Sequence, residues 1–142
     1  VSHDARRELE AVLDLEIQMA ETLSSTLAEE RDALLGKSPA EVVARTTLKL
    51  ALLRQIEELE RERTALWQPA VALRNPEVAR RWQALMSLMK RCRSANEVNG
   101  YIIHLRRSQV GQLLTALRGG APALYGPQGK TFGRALRALA TA

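Results

Sequence analysis

Twelve positions in the second half of the chain follow one another at alternating steps of four and three: Val78, Trp82, Leu85, Met89, Cys92, Asn96, Asn99, Ile103, Arg106, Val110, Leu113 and Leu117. This spacing repeats every seven residues and keeps one stripe of a helix turned toward neighbouring helices. Asn75-Pro76 opens the segment with a cap and a proline, and Gly119-Gly120-Ala121-Pro122 closes it. The spacing predicts a helix over about 76–118, roughly 65 Å long at 1.5 Å rise per residue. A chain of 142 residues that devotes so much of itself to one helix buries the stripe most simply against other helices.

Two such helices are legible upstream. Leu9, Leu13, Ala20, Leu23, Leu27 and Leu34 fall on one face of a helix expected over 4–35, with Asp4, Glu8 and Glu10 near its positive end and Gly36 at its stop. Ser38-Pro39-Ala40-Glu41 then reads as a capping box with proline at the first helical position. The helix that follows, over 39–67, carries Val42, Val43, Leu50, Leu53, Ile56, Leu59 and Leu66, with Glu57–Arg63 as a solvated charge run and Pro69 as its stop. The expected fold is all-α: an antiparallel three-helix bundle over 1–118, then a loop and a short amphipathic tail over 119–142. Trp67 and Trp82 flank the second connection and are expected to anchor one end of the bundle.

Composition agrees with helices. The chain is 46% hydrophobic but only 4% aromatic, its apolar residues being mostly Leu, Ala and Val. Charge divides unevenly: residues 1–75 hold 10 Lys/Arg against 14 Asp/Glu, and residues 76–142 hold 11 against Glu77 and Glu97 alone. The halves can attract each other, or the basic half can meet an acidic partner. In the tail, Phe132, Ala135, Leu136 and Leu139 form an apolar stripe opposite Lys130, Arg134 and Arg137. So short a helix needs a surface to dock on.

Several function classes find no support. A single cysteine, Cys92, allows no internal disulfide. The sequence has no membrane-length apolar run and opens without a signal-peptide core, so stable membrane insertion is not expected and a cytoplasmic location is. His3 and His104 lack acidic partners at ligand spacing, so neither a metal nor a cofactor is expected. Gly129-Lys130-Thr131 lacks the upstream glycine of a phosphate-binding loop, because Leu124 stands there. The expected role is to hold other proteins, not catalysis.

Asn96 and Asn99 are the anomaly of the long helix. A buried amide on an apolar seam costs about 1–3 kcal/mol unless partnered. Register setting, loosening of the helix at Asn99-Gly100 and direct partner contact are all open readings.

These residues also carry a resemblance. Asn96-Glu97-Val98-Asn99-Gly100-Tyr101-Ile102-Ile103 resembles the N-x-x-N-G-x-L-I signature of FlgN-type flagellar export chaperones. Leu124-Tyr125-Gly126, followed by Gly129, is similar to that family's L-Y-x-x-x-G element; Glu30-Arg31-Asp32 and the stretch from Lys49 to Glu57 also fit. The resemblance implies a cytoplasmic chaperone of flagellar type III export. Such a protein binds the hook–filament junction proteins FlgK and FlgL, keeps them unassembled and passes them to the export gate protein FlhA. It implies a substrate-binding C-terminal region and a gate-docking role for Tyr125; the amphipathic spacing of the tail, not the resemblance, makes Phe132, Ala135, Leu136 and Leu139 the expected contact stripe. Two other readings compete: a basic helical nucleic-acid-binding protein, disfavoured by scattered charge without a recognition helix, and a plain coiled-coil scaffold. Self-association is left open by the sequence.

Overall fold

The computed structural model describes residues 3–72 and 74–119, except for the side chain of Val71. They form α1 (His3–Leu35), α2 (Pro39–Leu66), a single-turn α3 (Pro69–Ala72) and α4 (Pro76–Leu117). The chain divides into two compact units, Val1–Arg93 and Ser94–Ala142, with the boundary inside α4. Among the described residues there is no strand, and the fold is an all-α bundle.

Local chemistry fixes the helix ends. Ser38 Oγ accepts the Glu41 amide at 3.4 Å with Pro39 in the first turn. Asn75 Oδ1 accepts the amides of Glu77 and Val78 at 3.0 and 3.3 Å, with Pro76 likewise placed. Both satisfy donors that a helix start leaves unpaired. The Gly36 amide closes α1 on the carbonyls of Asp32 and Ala33. At the other extreme, Gly119 ends α4 with φ +78°, a conformation open chiefly to glycine, and donates to the Ala116 carbonyl at 3.0 Å.

The first unit packs α1, α2, α3 and the opening turns of α4. All six apolar positions read for α1 are buried, together with Val12. Leu9, Leu13 and Ala20 share a core with Ala72, Val78, Leu85 and Leu88, and Trp67, Trp82 and Met89 pack on it half-buried. The Trp67 and Trp82 rings lie 4.8 Å apart and tilted by 50°, which makes them the anchors the sequence suggested. The stretch after Pro69 is not plain connection: it makes the turn of α3 and delivers Ala72 into the core.

The inward face of α2 differs from its reading in sequence. Ile56 is buried as read, but Val43 and Leu50 are 65% and 38% exposed, and Lys49 and Leu52 are buried in their stead. Lys49 goes inside because Glu30 of α1 meets it at 2.9 Å, with the Thr46 hydroxyl donating to the same carboxylate at 2.9 Å. A second inward pair joins Arg63 to Glu16 at 2.8 Å. Glu30–Lys49 and Glu16–Arg63 lie fourteen residues apart on each helix, two heptads or roughly 21 Å. Two buried pairs so spaced admit one antiparallel register of α1 on α2, since a slip would strand four charges at once. Within the charge run Glu57–Arg63, Arg63 is thus drawn inward while Glu57, Glu58, Glu60, Arg61 and Glu62 stay exposed.

Burial pushes the Glu16 carboxyl above the usual carboxylate range, the loss of water outweighing the pull of Arg63. A raised folded-state value means the native chain binds the proton more readily than the unfolded chain. Stability from Glu16 is therefore fully present below the ordinary carboxylate value and is lost as pH rises through the raised one. Glu16→Gln removes this dependence. Its stability relative to the parent should thus improve from acidic to neutral pH, as read by urea unfolding at both. A relative stability that falls over that range would contradict the assignment.

Candidate functional site

The described residues offer little to reaction chemistry. Among them no group of three His, Cys, Asp or Glu side chains is placed to hold a metal ion. Cys92 is buried, donates to the Ala20 carbonyl at 3.4 Å, and has its thiol pushed up by desolvation. That keeps it in the thiol form and out of nucleophilic use. Arg63 stacks 4.7 Å from the Trp82 ring centre while bound to Glu16, so its guanidinium is committed to structure.

What the molecule does present is apolar surface, and it lies on the second half of α4. The seam alternation holds through the first unit, where Val78, Leu85 and Cys92 are buried and Trp82 and Met89 half-buried. In the second unit Asn99 is fully buried, with Gly100 buried beside it and Asn96 and Ile103 half-buried. Beyond Ile103 the same seam emerges into solvent. Val110, Leu113 and Leu117 are 56%, 61% and 75% exposed, and Arg106 is exposed with them. The expectation of a covered seam to the end of the helix is corrected here: the spacing continues but the burial does not.

Leu114, also exposed, widens the stripe. Val98, Tyr101 and Leu105, at steps of three and four, make a second exposed apolar row. Scattered exposed leucines are ordinary, but a contiguous stripe over the last turns of a helix is the mark of an interaction surface. Neither Leu114 nor the Val98 row belongs to the heptad, so the seam alone did not point to them. The signal available was their own helical spacing.

Of the residues singled out in sequence, Asn96, Asn99, Gly100 and Ile103 therefore sit together on one helix at the point where burial ends. Leu124, Tyr125, Gly126 and Gly129, and the stripe Phe132, Ala135, Leu136 and Leu139, lie outside the described residues. No described helix is long and apolar enough to cross a membrane.

The family model described as FlgN protein matches residues 5–132. Two curated relatives, each called flagella synthesis protein FlgN, come from Salmonella typhimurium and Salmonella typhi. Each is 29% identical over 126 residues, which cover 87% of this chain and 89% of the relative. No solved structure matches the chain.

Proposed function

The chain belongs to the FlgN family, and from that premise we propose that it is a chaperone of flagellar assembly. It binds hook–filament junction subunits of the FlgK and FlgL kind in the cytoplasm, prevents their premature assembly and delivers them to an FlhA-like export gate. The observation that carries the reading is the exposed stripe Val110, Leu113, Leu114 and Leu117, at 46–75% exposure. A protein that catalyses nothing but must hold an aggregation-prone amphipathic segment needs an apolar helix face of its own, which is the helix-in-groove mode of recognition.

Phe132, Ala135, Leu136 and Leu139 extend the capture surface in this reading, and Tyr125 docks on the gate. Cutting the chain after Gly129 should leave the melting temperature nearly unchanged. It should also weaken retention of a FlgK- or FlgL-like subunit at least tenfold, about 1.4 kcal/mol. Phe132→Ser with Leu136→Ser should reproduce that loss, while Tyr125→Ala should spare subunit binding and weaken binding to the gate protein. Subunit binding untouched by truncation would remove the tail from the site. Failure of the intact chain to retain either subunit would remove the function itself.

A further inference from the structure

We propose that Gly111 is a built-in weak point that keeps the exposed end of α4 in balance between helix and coil, and that this balance sets how tightly a captured subunit is held. The inference rests on the chaperone reading for the captured subunit; the helix–coil balance is a property of α4 itself.

Nothing in the fold asks for a glycine at this position. Gly111 lies in the interior of α4, and its φ is not positive. A methyl group there would meet no atom within 4 Å beyond the helix backbone around it. Alanine would therefore fit, and it would favour the helix by about 1 kcal/mol, about fivefold in the helix–coil equilibrium. Packing does not make up the difference. From Leu105 to Gly119 every residue is exposed except Thr115, which is half-buried. Helices in proteins are held mostly by the face they bury, so this stretch depends on local propensity. Thr115 weakens it further. Its hydroxyl donates at 2.9 Å to the Gly111 carbonyl, the same carbonyl that the helix pattern assigns to the Thr115 amide.

The weak point and the exposed stripe coincide. Leu113, Leu114 and Leu117 share a face with Val110 only while the chain from Gly111 onward is helical. Uncoiling at Gly111 scatters the stripe, so only the helical fraction binds and the affinity is reduced by that fraction. The glycine thus moderates the grip of an apolar face that would otherwise be fully formed in advance.

The test uses the full chain and two variants of opposite sign. Gly111→Ala removes the weak point. Gln112→Gly adds a second one at an exposed position on the side of α4 away from Leu114 and Leu117. Amide hydrogen exchange over residues 112–118 should slow in the first and quicken in the second, by up to about fivefold. The amide of Leu13, in the core, should be unaffected. Dissociation of a FlgK- or FlgL-like subunit should follow the same order, slower by at least about twofold in Gly111→Ala and faster in Gln112→Gly. Exchange over 112–118 as slow as at Leu13 in the parent would overturn the proposal, and so would exchange that neither variant changes. Faster dissociation from Gly111→Ala would overturn it as well, because the bare glycine would then serve close contact with the subunit. If the subunit leaves all three chains at one rate, the proposal falls and the chaperone reading stands. If exchange shifts as stated and the parent retains no subunit, the chaperone reading fails and the weak point stands.

Discussion

Replacing Lys49 with alanine should destabilise the protein by about 3–5 kcal/mol, a large share of the total stability of a small domain. Lys49 and Glu30 are 2% and 0% exposed, and their charged groups meet at 2.9 Å. Removing the ammonium leaves a carboxylate deep in the α1–α2 interface. The Thr46 hydroxyl at 2.9 Å still donates to it, but a neutral donor does not balance a charge. Replacing both partners, Lys49→Met with Glu30→Leu, should recover most of the loss, because the desolvation cost disappears together with the attraction. The measurement is urea unfolding of parent, single and double variants. A single-variant loss under about 1 kcal/mol, the scale of a surface pair, would mean that water reaches this pair. A double variant as unstable as the single would mean that the pair matters for shape more than for charge.

That same pair shows where the sequence stops being legible. The α1 face was readable from its six apolar positions. The seven-residue gaps from Leu13 to Ala20 and from Leu27 to Leu34 are nevertheless filled on the same face by buried Glu16 and Glu30, which the apolar pattern passed over. On α2 hydropathy picked out Ile56 correctly but favoured Val43 and Leu50 over Lys49 and Leu52. Lysine is almost never buried unless paired, and its partner lies nineteen residues away on another helix, beyond any local period. Helix ends were legible almost to the residue, since Ser38-Pro39, Asn75-Pro76, Gly36 and Gly119 act through bonds to their immediate neighbours. Asn99 was legible as a buried polar seam residue. The exposed stripe was not, because periodicity states which residues share a face and is silent on whether anything stands opposite it.

The same difference yields the sharpest contrast expected of any two substitutions in the chain. Leu85 and Leu113 occupy the same heptad position of α4, twenty-eight residues or four heptads apart, and are chemically identical. Leu85 is 1% exposed and lies in the core with Leu13 and Val78; Leu113 is 61% exposed. Leu85→Ala removes buried methyl groups and opens a cavity that the neighbouring helices fill only in part, a cost of about 2–5 kcal/mol. Leu113→Ala removes side chain that already faces water, and alanine is the better helix former, so the stability change should stay within about 0.5 kcal/mol. Binding should show the reverse order at temperatures where both variants are folded. Leu113→Ala should weaken capture of a FlgK- or FlgL-like subunit, and Leu85→Ala should leave it nearly unchanged. Urea unfolding and subunit-binding measurements on the two single variants decide the matter. If Leu113→Ala costs as much stability as Leu85→Ala, the stripe is covered in solution and the surface proposed for capture is already occupied. If instead stability and binding separate between two leucines of one heptad series, α4 serves as core at its start and as a docking face at its end.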